Sequence, residues 1–164
     1  MSVRFNADEI FEMAQEVERN GAKFYRTVSR SAPDQGCRQL LTRLAEMEVA
    51  HEKTFKAMRA KLAEKSPREE AYDPQGDAAL YLQAFADGHV FVLKADPTAR
   101  LTGKETMEEI LKTAIGLEKD SIVFYVGIRD LVGKDLGQDR IEGIIREEMG
   151  HVTDLSGQLA ALSQ

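Results

Sequence analysis

Cysteine is almost missing from these 164 residues. Cys37, alone, can form neither an internal disulfide nor a CxxC metal knuckle, so it reads as a small helix residue in a chain made for a reducing cytoplasm. Blocks of basic residues are missing as well. With 22 Lys plus Arg against 28 Asp plus Glu, the formal charge is −6, which argues against nucleic acid or an anionic membrane as the main partner. No apolar run approaches the ~18 residues that a membrane span needs. The first nine residues carry acids where a signal peptide would place its apolar stretch, and the expected location is cytoplasmic. Strand signals are nearly absent apart from the short run 90–93, so the expected fold class is all-α.

What the chain does contain is long helical periodicity. Its length fits a single domain over 1–164, and 43% hydrophobic residues suffice to fill a core without help from a disulfide or a metal. The four prolines, Pro33, Pro67, Pro74 and Pro97, fall between the periodic segments, where helix breakers belong. Asn6 with Glu9 three residues on forms a capping-box pattern, predicting a first helix from Asn6 to about Ser31. After the Pro33-Asp34 turn, the stripe Leu41, Leu44, Glu48, His51, Phe55, Met58, Leu62 predicts a second helix to about Lys65. A third helix is predicted from the cap Thr102, with box partner Glu105, to about Val132. A fourth spans about 138–163 on the stripe Ile141, Ile144, Glu148, His151, Leu155, Leu162. The organisation expected is therefore a helix hairpin over 6–65, a crossover over 66–101 and a second hairpin over 102–163. The crossover is long enough to pass from one end of a bundle to the other. Within it, 77–87 reads as a short helix with Leu80, Leu82 and Phe85 as apolar contacts.

Subtracting residue numbers exposes a repeat. Glu18 and Glu118 are 100 apart, as are Tyr25 and Tyr125, Glu48 and Glu148, and His51 and His151. Each half thus carries Glu-x6-Tyr on its first helix and Glu-x-x-His on its second, which implies a pseudo-twofold bundle with one shared site on its axis. Glu18 lies on the stripe Phe11, Ala14, Gly21, Tyr25, Val28, and Glu118 lies between Leu111, Ala114, Tyr125 and Ile128, so both should face the core. Glu48 and His51, like Glu148 and His151, are one turn apart on one face and can reach one ion.

Four carboxylates and two imidazoles converging in an apolar bundle demand compensation, because each unpaired buried carboxylate costs several kcal/mol or must take up a proton. Two divalent cations balance four carboxylates, with neutral imidazoles outside the balance. Mixed oxygen and nitrogen donors favour iron or manganese, or a mixed pair, over zinc. Glu18, Glu48, His51, Glu118, Glu148 and His151 are the candidate metal ligands and catalytic residues. The Tyr25 and Tyr125 hydroxyls are expected to donate to ligand carboxylates across the bundle and fix their orientation. Glu46, Glu52 and Glu147 adjoin the ligands but face other directions, as surface or outer residues. His89 has no partner at ligand spacing. Gly21, Gly116, Gly127, Gly143, Gly150 and Gly157 lie inside predicted helices at roughly 1 kcal/mol each relative to alanine, which points to close helix approach or to access near the metals.

These residues resemble the rubrerythrin family of the ferritin-like di-iron carboxylate superfamily, over all four long helices. The resemblance implies a ferritin-like four-helix bundle of two antiparallel hairpins joined by the crossover. It also implies two iron ions in a non-haem centre that reacts with hydrogen peroxide or dioxygen, with Glu48 and Glu148 bridging, and a homodimer. Family members with an attached rubredoxin-like module carry four cysteines that pass electrons to the centre. This chain has one, so its electron donor, rubredoxin-like or a flavoprotein, is expected to be external. The family's peroxidase members also carry a glutamate one turn after the third-helix ligand, where this chain has Ser121. The resemblance leaves two other roles open: iron oxidation for storage or handling, and a bundle with structural metals acting as a binding module.

Overall fold

The computed structural model describes residues 6–65, 77–86 and 96–162. Among the described residues five α-helices form: α1 (Ala7–Ser29), α2 (Gln35–Lys65), α3 (Asp77–Ala86), α4 (Met107–Arg129) and α5 (Gln138–Leu162). Short 3-10 turns at Pro97–Arg100 and Lys134–Leu136 complete the described elements, and no strand forms among the described residues. No described helix is long and apolar enough to cross a membrane. The run 90–93 and His89 lie outside the described residues.

Local chemistry starts each helix. The Asn6 side chain accepts from the Glu9 amide while the Glu9 carboxylate accepts from the Asn6 amide, both at 2.9 Å, closing the expected capping box on α1. Asp34, after Pro33, accepts from the Cys37 amide at 2.8 Å at the start of α2. The start of α4 differs from expectation. Thr102 does not cap it: its hydroxyl accepts from the Lys104 amide, Glu105 folds back onto the Thr102 and Gly103 amides, and Gly103 takes a φ of 77° that no helix continues. Thr106 and Glu109, four residues on, make the working box instead. The first hairpin helix ends at Ser29 and the third long helix at Arg129, each two or three residues short of the expected ends. The link from α4 to α5 needs Gly137, whose φ of 107° lies in the left-handed region.

Two apolar layers fill the bundle. One joins the N-terminal halves of α1 and α5 to the C-terminal halves of α2 and α4, through Ile10, Phe11, Phe55, Met58, Phe124, Ile128, Ile141 and Ile144. The other joins the opposite halves through Phe24, Val28, Leu41, Leu44, Leu111 and Leu155, with Cys37 buried inside it. Since α2 ends in the first layer and α4 begins in the second, the crossover runs the length of the bundle. On the way, α3 docks on α4: the Tyr81 hydroxyl donates to the Val123 carbonyl, and its ring fills a notch at Gly127 that any Cβ would obstruct. Leu82 is buried in the first layer. Leu80, expected as a contact, is instead 71% exposed, while Tyr81 and Leu82 beside it pack inward. The Phe85 side chain lies outside the described residues. Leu162 is likewise 40% exposed, past the end of the layer that Leu155 completes.

Candidate metal centre

Between the two apolar layers, every long helix contributes polar side chains at one level. Glu18 comes from α1, Glu48 and His51 from α2, Glu118 from α4, and Glu148 and His151 from α5, and all six are at most 4% exposed. The three- and four-residue steps that carry the apolar stripe through each helix carry these groups inward too. The sequence expectation that they converge describes their placement.

They fall into two overlapping sets. Ligand atoms of Glu18, Glu48, His51 and Glu148 lie within 4.8 Å of one another, and so do those of Glu48, Glu118, Glu148 and His151. Each set has one carboxylate of its own and one imidazole, and Glu48 and Glu148 belong to both. His51 Nδ1 sits 3.0 Å from Glu148 Oε1 and 3.5 Å from Glu18 Oε2. His151 Nδ1 sits 2.8 Å from Glu148 Oε2, 3.4 Å from Glu118 Oε2 and 3.6 Å from Glu48 Oε1. The two rings stack with centroids 5.8 Å apart.

Tyr25 and Tyr125 exchange partners across the bundle. The Tyr25 hydroxyl on α1 donates to Glu118 on α4, and the Tyr125 hydroxyl on α4 donates to Glu18 on α1. Burial pushes both phenols well above their ordinary value, with the nearby glutamates adding to the shift, so both hydroxyls remain donors.

Left to themselves, these carboxylates and imidazoles are in electrostatic conflict. Burial raises Glu18 and Glu48 far above the usual carboxylate range, and the Glu148 charge raises both further. Burial also raises Glu118, to about 8, against the lowering contact of His151. Burial would raise Glu148 too, but the two imidazoles beside it hold it at about 2. For the histidines burial pulls downward, yet Glu148 and Glu147 keep His51 at about 9, and Glu118 and Glu148 keep His151 at about 10. Protons therefore stand in for positive charge that the carboxylates require.

The donors fit metal ions. Glu18 Oε2, Glu48 Oε1, both Glu148 oxygens and both Nδ1 atoms are buried without a hydrogen-bond partner among the described residues, all at the centre of the cluster. Buried polar atoms are rarely left so, and six lone-pair donors aimed at one volume have the chemistry to hold a cation. An oxygen-rich set with one imidazole per position suits iron or manganese better than zinc.

Three further residues shape the centre. Gly21 leaves room for Glu48: a Cβ there would stand 2.9 Å from Glu48 Oε2. Gly116, Gly143, Gly150 and Gly157 have open space where a Cβ would be, so close approach explains only Gly21 and Gly127 among the six helical glycines. The Ser121 hydroxyl turns back to the Leu117 carbonyl at 3.1 Å on its own helix. Glu147, assigned only an outer position from the sequence, has Oε2 2.8 Å from His51 Nε2, while Glu46 is exposed and Glu52 pairs with Arg19 at 3.3 Å.

No family model and no curated protein matches the chain. A solved structure does: a candidate ferritin-like diiron-carboxylate protein from Thermotoga maritima, 24% identical, with a TM-score of 0.68 over 96% of each chain. With two long hairpins, one crossover and a polar layer between apolar ones, the chain adopts the ferritin-like helical bundle fold.

Proposed function

We propose that the protein is a rubrerythrin-like, non-haem di-iron oxidoreductase that reduces hydrogen peroxide or dioxygen with electrons from an external donor. The observation that carries this reading is the buried, doubly overlapping donor set, with two carboxylates common to both halves and six lone-pair atoms left without partners. Iron, when bound, supplies two-electron chemistry toward peroxide or dioxygen. Glu18 with His51 would hold one ion, Glu118 with His151 the other, and Glu48 and Glu148 would bridge. Tyr25 and Tyr125 keep their protons on the phenol oxygens and orient the Glu118 and Glu18 carboxylates. The apolar layers on either side, led by Phe11, Phe55, Phe24 and Leu111, exclude water from the reacting volume. Manganese or a mixed pair would use the same donors. An external electron donor and a homodimer are carried over from the resemblance and a cytoplasmic setting from the sequence, and Cys37 is buried within the bundle.

Metal analysis of protein purified without chelator should give two ions per chain. Its visible absorption should bleach with reductant and return with peroxide or dioxygen. One ion or none would overturn the reading, and a spectrum that ignores peroxide would leave only a structural role. A second reading, oxidation of ferrous ion for storage or delivery, is favoured by Ser121, which points at its own backbone and supplies no seventh ligand. Iron accumulating beyond two per chain when ferrous ion is in excess would select it.

A further inference from the structure

We propose that the two metal positions are unequal and that Glu147 makes them so: the ion held by His51 binds first and more tightly than the ion held by His151. This rests on the reading of the cluster as a two-metal site. Toward the centre, the halves match residue for residue at the 100-residue offset: Glu18 and Glu118, Tyr25 and Tyr125, Glu48 and Glu148, His51 and His151. Behind the imidazoles the match fails. His51 Nε2 meets Glu147 Oε2 of α5 at 2.8 Å. The position equivalent to Glu147 on α2 is Met47, whose thioether is a weak acceptor. His151 Nε2 is buried and has no hydrogen-bond partner among the described residues.

The difference bears on metal affinity because both rings present Nδ1 to the cluster. A metal on Nδ1 requires the ring proton on Nε2. At His51 a carboxylate accepts that N–H, which fixes the tautomer, holds the ring plane and makes Nδ1 a stronger donor. At His151 the same tautomer buries an N–H with no acceptor, so the ring is neither held nor polarised. Outer partners of this kind change metal affinity by roughly 10–100-fold, and that is the expected gap between the positions. Glu147 is thus a positioning residue for one metal position, and half-exposed, so its replacement leaves the core intact.

The test titrates metal-free, full-length protein with Co(II) alone and follows the paramagnetically shifted imidazole signals. At one equivalent the wild type should show one set, assigned by its loss in His51→Asn, and a second set should grow only with the second equivalent. In Glu147→Ala both sets should appear together from the first equivalent, with first-ion affinity down 10–100-fold. Glu147→Gln, which keeps an acceptor oxygen without the charge, should fall between. Met47→Glu, at a half-exposed position where a carboxylate can be solvated, should tighten the second ion. Metal-free melting temperatures close to the wild type's certify that each variant folds. Two ions binding the wild type with equal strength, or a loading order unchanged in Glu147→Ala, would overturn the inference and leave the two-metal reading standing. Failure to bind a second ion at all would overturn the two-metal reading itself.

Discussion

Replacing Gly21 by alanine should move the metal-free and metal-loaded proteins in opposite directions. A glycine inside a helix costs about 1 kcal/mol relative to alanine, so without metal, where the protonated Glu48 side chain can swing aside, the substitution should stabilise. For a chain of this length that is ~2–4 °C in melting temperature. With metal bound, Glu48 is no longer free to move. The new Cβ would stand 2.9 Å from Glu48 Oε2, 3.1 Å from its Cδ and 3.3 Å from its Cγ. Restoring ordinary contact requires a shift of about 0.5 Å, beyond the ~0.2 Å within which metal–ligand distances are held. Affinity should therefore fall about 10–100-fold, equivalent to about 1.4–2.7 kcal/mol. Calorimetric melting of both forms, with a metal titration of each protein, reads the two effects separately. An equal rise in both forms would show that the notch at Gly21 does not set the position of Glu48, and would refute the reasoning.

Tyr125→Phe removes the donor to Glu18, and a hydrogen bond to a charged acceptor is worth ~1.5–3 kcal/mol. The loss should be larger with metal, where Glu18 is ionised, than without; equal losses in thermal unfolding would contradict this. Raising the pH should destabilise the metal-free protein. Glu18 and Glu48, raised far above 4.5, Glu118 at about 8, and His51 and His151 at about 9 and 10 against 6.5, hold protons that an unfolded chain has already lost. Their contribution is fully present below those ordinary values and is lost as pH climbs through the raised ones. Glu148, at about 2 against 4.5, acts oppositely, and its contribution is lost only toward pH 2. Melting of metal-free protein at pH 6 and 9 checks the sign. Metal loading near neutral pH should displace up to about five protons, measurable by calorimetry in buffers of different ionisation enthalpy. Glu48→Ala or Glu148→Ala, if each bridges, should remove more than one ion's worth of metal by elemental analysis. Ser121→Glu should raise peroxide turnover in stopped flow; fast native turnover that the substitution leaves unchanged would show that a seventh ligand does not matter.

Helix faces were legible because a 3.6-residue period forces each ligand into line with its apolar neighbours, and the 100-residue offset doubled the signal. Where interpretation depended on what lies opposite, the sequence was silent. Thr102 with Glu105 and Thr106 with Glu109 are equally good capping boxes, and only the left-handed Gly103 decides between them. Leu80 carries the same periodic signal as a core residue but is mostly exposed, since α3 settles on α4 through Tyr81. Glu147 points one step round α5 from Glu148, which reads as outward on that helix alone. Its partner His51 belongs to a different hairpin, brought near only by packing. A mismatch within the repeat, Glu147 against Met47, was the available signal.

The crossed tyrosines have a consequence for assembly. Glu18 accepts its phenol proton from the second hairpin, and Glu118 accepts its own from the first. Neither hairpin can quiet its own buried acid, so each needs a tyrosine from a second hairpin. A half-molecule would expose an apolar face with an unanswered carboxylate at its middle, and because the repeat gives each half its own Glu-x6-Tyr, a second copy of itself carries a tyrosine at the equivalent position. Splitting the chain within its crossover should then give two fragments that associate with each other or with copies of themselves, with metal ions acting as rivets across the seam.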